Sequence, residues 1–519
     1  MKIQIDKNTP LKEFNHHYKF CVGSAHAVYA LRHDYVKQLT EIHNDLGIER
    51  VRFHGIFDDN MHTILKATDI IPFPFGSKYI EKSFRQCANA YDNVISAGMR
   101  PYVELSFMPK HLAKLKFAKG MFYYKPIVSM PKLMNEWENY IKDFVKFLIN
   151  RYGKDEVESW NFEVWNEPDI PVVFFDGSQK DYFRLYSATA KAIKSVDDKI
   201  KVGGPATSGS KWIKEFLSYC KNTKTPVDFI STHQYAGDPI GGIENGEKGL
   251  SLKINLLAGL KNRKSLPKDN VIELFRSFMG VLDASKTLNK KALTESAKNV
   301  KALVKDLPLY YTEWNMCASF SAECNDTSMQ AAYILHAIKG TQKSIDGSSI
   351  WCFSDLFEEF HQFPEEFHGG FGLVTQSGIK KPSYFALKFL NEAGEKAYQI
   401  DTEESADALI FDKGDEIHII LSMLDFKESN KSENIDISIE LSSIPKAVSE
   451  TVIDEENCNP LKAWKKLGKP QVPNKAQLNI INSASAPVEK SVDYDYSSGF
   501  LNINTSISSN QIRRIIVKK

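Results

Sequence analysis

The sequence predicts a (β/α)8 barrel, the TIM-barrel architecture, followed by an antiparallel β-sandwich. Two observations carry this. From about residue 19 to 394, eight short apolar runs alternate with amphipathic stretches of helical period, the pattern of βα units around a parallel sheet. After Gly394 the texture changes to short β-branched segments separated by clusters of Ser, Asn, Asp and Lys. A doubly wound sheet is the alternative, but no Gly-rich phosphate loop follows the first strand.

The strand candidates are Phe20–Ser24, Arg50–His54, Arg100–Ser106, Ser159–Trp165, Lys201–Gly204, Val227–His233, Leu309–Thr312 and Ser349–Phe353. Helical periodicity marks Tyr35–Leu46, Ser83–Ala97, Met134–Tyr152, Tyr182–Val196, Trp212–Cys220 and Met329–Lys343. The sandwich, residues 395–519, draws strands from Ala408–Phe411, Glu416–Leu421, Ile435–Leu441, Phe500–Thr505 and Arg513–Val517. The N-terminal segment 1–18 is expected to add a strand to it through Lys2–Ile5. About 70 residues separate Tyr235 from Leu309, far more than one crossover needs. Ile240–Lys305 is therefore expected to be an insertion on the active-site face, a Gly-rich loop followed by two or three helices.

Composition narrows the function classes. Hydrophobic residues make up 42% of the 519 and charged residues 25%, ordinary for a globular chain of one large and one smaller domain. Lys and Arg (66) nearly cancel Asp and Glu (65), so no bulk field favours nucleic acid or an anionic membrane. A neutral partner such as an oligosaccharide or small glycoside fits better, and assembly into a homo-oligomer is left open. No apolar run nears a membrane span, and the N-terminus shows no signal peptide. The 7 cysteines lack metal-ligand spacing and are odd in number, so neither a metal nor another cofactor is expected. Reduced thiols point to a cytoplasmic protein, with a removed export signal as the alternative.

Catalytic groups of such a barrel come from the C-terminal ends of its strands. The second candidate ends in Arg52-Phe53-His54-Gly55, the fourth in Trp165-Asn166-Glu167-Pro168 and the sixth in Thr232-His233-Gln234-Tyr235. The seventh ends in Thr312-Glu313-Trp314-Asn315, and the eighth in Ser354-Asp355 with Glu358 and Glu359 beyond. Glu167 and Glu313 thus face each other across the barrel, which is what glycoside cleavage needs. One carboxyl donates a proton to the leaving oxygen and the other attacks the anomeric carbon, about 5–5.5 Å apart when configuration is retained. Asn166 and His233 suit sugar hydroxyls, Tyr235 suits a bond to the nucleophile, and Arg52, on the same side of its strand as His54, suits keeping Glu313 ionised.

Taken singly, each signal is bland. An Asn-Glu-Pro tripeptide is a weak motif, a lone His is more often a satisfied core residue, and Glu358-Glu359 alone reads as a solvated loop. Glu163 reads as a buried structural partner of a base, deeper in the barrel. Joint placement at five strand ends is what favours a catalytic reading.

The segments VRFHGIFDDNM (51–61), PYVELSFMP (101–109), WNFEVWNEPD (160–169), FISTHQY (229–235), YYTEWN (310–315), FSDLFEE (353–359) and FHGGFGL (367–373) resemble glycoside hydrolase family 39. This is the family of β-xylosidases and α-L-iduronidases, and VIDEENCNPLKAWKKLGKPQVP (452–473) extends the resemblance past the barrel. The resemblance implies a retaining exo-glycosidase with Glu167 as acid/base and Glu313 as nucleophile. It further implies that His54, Asn166, His233, Tyr235 and Glu359 line the sugar subsite, with Phe107 and Phe371 as apolar walls. His233 is followed by no Lys or Arg within the next residues, and the strand-eight loop is acidic, which opposes a uronate. β-Xylosidase is therefore the leading expectation. Exo-glycosidases on related neutral sugars (β-galactosidase, β-glucosidase or α-L-arabinosidase type) come second, and α-L-iduronidase third. A non-catalytic sugar-binding barrel would be expected to lose one carboxylate, and a phosphorylase would need a cationic pocket that the sequence does not offer.

Overall fold

A computed structural model of the chain describes residues 1–69, 80–120, 122–242, 288–318, 321–357, 359, 363–400, 405–427 and 429–519. Eight parallel strands close a barrel in chain order: Cys21–His26, Arg50–His54, Arg100–Glu104, Asn161–Glu163, Lys201–Thr207, Phe229–Tyr235, Leu309–Asn315 and Gly347–Ile350. Each falls on one of the eight runs read from the sequence. They were legible because barrel strands are buried on both faces and so read as continuous apolar segments; Cys21–His26 and Phe229–Tyr235 are buried at every residue.

All six helices read from periodicity are present, as His33–Leu46, Arg85–Ser96, Met134–Tyr152, Gln179–Val196, Ile213–Thr223 and Ser328–Thr341. Met134–Tyr152 buries Trp137, Tyr140, Ile141, Phe144, Val145 and Leu148, one stripe at three- and four-residue spacing. Gln179–Val196 starts at a capping box in which Ser178 and Asp181 exchange bonds between side chain and backbone N–H. Between strands six and seven, the helix Ala292–Val304 packs Leu293, Ala297 and Val300 inward. Residues 243–287, most of the expected insertion, lie outside the described residues.

Beyond the barrel the described residues form two sheets. One has seven strands, in the order Glu489–Ser491, Ala447–Ile453, Gln511–Lys518, Glu416–Met423, Asp407–Asp412, Lys396–Tyr398 and Leu11–Glu13. The other has four: Lys2–Ile5, Ser432–Glu440, Phe500–Ser508 and Asp495–Ser497. Alternate residues from both, among them Ile3, Ile419, Ile437, Ile503 and Ile515, form one apolar core. Among the described pairings of these sheets, Lys2–Ile5 alone runs parallel to its neighbour, Ser432–Glu440. The whole barrel separates these two strands in the chain, so no hairpin imposes an antiparallel match. Two helices, Pro460–Lys466 and Lys475–Ser485, interrupt the strand-rich region. Trp464 of the first packs on Phe367 of the loop after strand eight, with ring centroids 5.6 Å apart.

Candidate active site

Strand register assembles the site. Glu104 lies beside Glu163, and His233 lies beside Glu313. Arg52, fully buried, anchors the floor. Its Nε donates to Glu163 Oε2 at 2.6 Å and its Nη1 to Glu313 Oε1 at 2.8 Å. Its Nη2 donates to Asn166 Oδ1 at 2.8 Å and pairs with Glu104 Oε2 at 2.8 Å. Burial opposes the guanidinium charge, but these carboxylates outweigh it and push the Arg52 pKa well up. A single cation satisfying three buried carboxylates explains why charge is tolerated in this interior. Glu163 also accepts from Thr312 Oγ1 at 2.7 Å, which makes it a buried counter-ion of the floor.

Glu313, at the end of strand seven, receives Arg52 on one oxygen and the Tyr235 hydroxyl on the other, at 3.0 Å. His54 Nε2 stands 3.6 Å from Glu313 Oε1. The opposite ring nitrogen, Nδ1, is fixed on Glu104 Oε2 at 2.7 Å, and Ser106 donates to the second Glu104 oxygen. Burial raises the Glu104 pKa, but Arg52 and His54 overcome that and hold it below the ordinary carboxylate range.

Glu167 lies past the end of strand four. Trp165 and Glu167 both adopt positive φ, 73° and 39°, where the chain leaves the strand and turns the Glu167 side chain into the barrel mouth. The Glu167 N–H donates to Ala206 O at 2.9 Å, which ties it to the end of strand five. His233 Nδ1 lies 2.9 Å from Glu167 Oε1 and 3.7 Å from Glu313 Oε2. Burial pushes the Glu167 carboxyl up to about 8; Asp169 and Asp238 add to this, while Lys211 and His54 pull against it. Burial also lowers the pKa of His233, which favours a neutral ring. One oxygen from each glutamate and one nitrogen of His233 all lie within 4.8 Å of one another. That spacing would also suit a metal ion, but the two Glu313 oxygens already accept from Arg52 and Tyr235, and a carboxyl pushed up to about 8 by burial is a poor ligand near neutrality.

The remaining candidates sit around this pair. Glu359 Oε1 is 3.8 Å from His54 Nε2; burial first, then Glu313 and Glu167, push its pKa well up. Glu358 lies outside the described residues. Asn166 Nδ2 and His233 Nε2 are buried without a hydrogen-bond partner among the described residues, so each has capacity for a ligand hydroxyl. Phe107, fully buried, has its ring 6.3 Å from His54 and 5.7 Å from Trp165. Phe371 is further out: it meets Phe357 at 5.7 Å, Phe357 meets Trp351 at 6.1 Å, and Trp351 faces His54 at 4.7 Å.

Trp351, Glu104 and Asp238 were not singled out from the sequence. Asp238 accepts the Tyr235 N–H at 2.8 Å, and burial pushes it up to about 6. The available signals were slight: a tryptophan at the end of strand eight, and a carboxylate two residues before Ser106 on strand three.

A closed parallel barrel with paired carboxylates at the ends of strands four and seven defines a barrel glycoside hydrolase. A family model described as Glycosyl hydrolases family 39 matches residues 1–245 and 277–501, leaving 246–276 between the two stretches. The chain is 34% identical over 499 residues to a β-xylosidase of Caldicellulosiruptor saccharolyticus, covering 95% of this chain and 93% of that protein. It is 28% identical over 532 residues to a β-xylosidase of Geobacillus stearothermophilus, covering 100% and 96%. A solved family 39 β-xylosidase from Caulobacter crescentus superposes with a TM-score of 0.77 at 26% identity, covering 100% of each chain. The chain belongs to glycosyl hydrolase family 39 and is a glycoside hydrolase.

Proposed function

We propose that the protein is a retaining exo-acting β-xylosidase with Glu167 as general acid/base and Glu313 as nucleophile. The observation that carries this reading is the contrast between two carboxyls that bring one oxygen each within 4.8 Å of the other. Glu313 accepts from a guanidinium and a phenol, as an anion would, whereas burial pushes Glu167 up to about 8 and keeps it protonated near neutrality. Inverting enzymes hold their carboxyls roughly 6.5–9.5 Å apart to admit water between them, and the short spacing here favours direct attack.

In the first half-reaction a Glu313 oxygen attacks the anomeric carbon as the glycosidic bond breaks, and Glu167 gives its proton to the departing oxygen. Tyr235 and Arg52 hold Glu313 in line. The charge on Glu313 is lost in the ester, so Glu167 becomes more acidic and ionises. In the second half it takes a proton from water, whose oxygen attacks the anomeric carbon from the face the aglycone left. The C1–Glu313 bond breaks, and two inversions leave the β configuration. His54, Asn166, His233, Tyr235 and Glu359 supply the polar lining for the sugar, with Phe107 and Phe371 as apolar walls.

The acidic surroundings of Glu359 disfavour a uronate, and a neutral glycone fits both this lining and the names of the relatives. Other neutral sugars are the second reading, because the same donors and acceptors serve more than one pentose or hexose. A panel of nitrophenyl glycosides (β-xyloside, β-galactoside, β-glucoside, α-arabinoside and α-iduronide), assayed with the parent and with each glutamate removed, tests it. The β-xyloside should be turned over fastest; preference for the iduronide would overturn the sugar assignment.

A further inference from the structure

Close to Glu167 in the fold lie charged residues that the reaction above does not use. Asp169, two residues beyond Glu167, has a side chain only 1% exposed. Its Oδ1 accepts the Ser208 N–H at 2.9 Å and its Oδ2 accepts from Lys211 Nζ at 2.9 Å. Ser208 and Lys211 follow directly on strand five, whose Ala206 carbonyl accepts the Glu167 N–H. The end of strand five therefore fixes the Glu167 backbone, and the turn that follows it brings a cation onto Asp169, two residues from Glu167.

The groups that face Glu167 come from every neighbouring element. His54 comes from strand two and Asp169 from its own loop. Lys211 follows strand five, His233 and Tyr235 end strand six, and Asp238 follows them. Glu313 ends strand seven, and Glu359 lies beyond strand eight. Carboxylates dominate this set. Beyond the burial that dominates, Asp169 and Asp238 hold the proton on Glu167, and Lys211 opposes them. The effect is reciprocal: burial lowers the Lys211 pKa, but Asp169, Glu167 and Asp238 raise it past its ordinary value.

An acid/base must hold its proton in the first half-reaction and release it in the second. Burial among carboxylates serves the first need and works against the second. Resting on the assignment of Glu167 above, we infer that Lys211, clamped on Asp169, is a positioning residue whose charge lets Glu167 give up its proton for deglycosylation. It acts through the field at Glu167 and not through contact with the anomeric carbon.

The test compares Lys211→Met, Asp169→Asn, the double variant and Lys211→Arg in the full chain. The readout is kcat/KM against pH for an unactivated aryl β-xyloside. Lys211→Met should move the alkaline limb up by about 0.5–1 pH unit, and Asp169→Asn should move it down by a similar amount. The double variant should return close to the parent, and Lys211→Arg should stay there. With a dinitrophenyl β-xyloside, whose kcat reads the second half-reaction, Lys211→Met should lower kcat more than kcat/KM. A purely structural role would lower rates at every pH without moving the limb. Limbs that stay put in both single variants, or move the same way in both, overturn the inference. Should Lys211→Met fold poorly by thermal melting, Asp169→Asn decides alone, because its limb must fall. Azide rescue of Glu167→Ala probes the underlying assignment separately. No rescue sinks that assignment, whereas rescue with unmoved limbs sinks this inference alone.

Discussion

Arg52 Nη1 donates to Glu313 Oε1 at 2.8 Å from a guanidinium with no exposed surface. The same cation serves Glu104 and Glu163, so its removal would strand buried carboxylates as well as the proposed nucleophile. Arg52→Met should cost about 3–5 kcal/mol of stability, read as a lowered chemical-denaturation midpoint, and should reduce kcat/KM. Unchanged stability would mean that the guanidinium is not what holds these three carboxylates in the interior.

Glu167→Ala should reduce turnover of glycosides with poor leaving groups by about 10²–10⁴-fold and spare glycosylation by dinitrophenyl glycosides. Azide should restore turnover and yield a β-glycosyl azide, identified by NMR. Equal loss on both substrate types, without rescue, would remove Glu167 from the acid/base role.

A 2-deoxy-2-fluoro glycoside with a good leaving group should accumulate as an ester on Glu313. Peptide mapping by mass spectrometry that finds the label on Glu163 or Glu359 would sink the nucleophile assignment.

In the proposed role, Glu167 donates only while protonated. With its carboxyl pushed up to about 8, kcat/KM for an unactivated substrate should hold below that pH and decline above it. Glu167→Gln, which has no titrating carboxyl, should lose this alkaline limb and leave the residual kcat/KM for the same substrate flat across that range. An alkaline limb that persists unaltered in that variant belongs to another group.

The long segment between strands six and seven, part of which the family match skips, offers a separate expectation. Replacing the expected insertion, Ile240–Lys305, with a short connection should change KM for xylo-oligosaccharides several-fold more than KM for aryl xylosides, if the segment walls the site beyond the first sugar. Equal changes on both would make it a structural addition only.

How much was legible depended on where the physical signal resides. Strand ends such as Trp165-Asn166-Glu167 and Thr312-Glu313-Trp314 announce themselves, because a polar cluster closing an apolar run is costly unless it is used. The pairing of Arg52 with both glutamates of the floor was only half legible. Residues two apart on a strand share a face, but which carboxylates meet that face depends on the register of strands three and four. Trp351 was hidden because an aromatic residue in a buried strand looks like core. The helices Pro460–Lys466 and Lys475–Ser485 left real traces, an Asn cap before Pro460 and the Asn474–Gln477 capping box. They went unread because the surrounding segments alternate like strands. The parallel course of Lys2–Ile5 leaves no local trace, since its partner lies more than four hundred residues away.

That distant pairing has a consequence for how the molecule can be divided. Residues 2–5 and 11–13 belong by hydrogen bonding to sheets built from residues beyond 395, so the chain leaves those sheets, builds the barrel and returns to them. A cut after residue 394 would leave Ile3 and Ile5, both buried, on the barrel fragment without their sheet, and would leave the other fragment with an open edge at Ser432–Glu440. The seam between the two parts runs through space, and no single break in the sequence follows it.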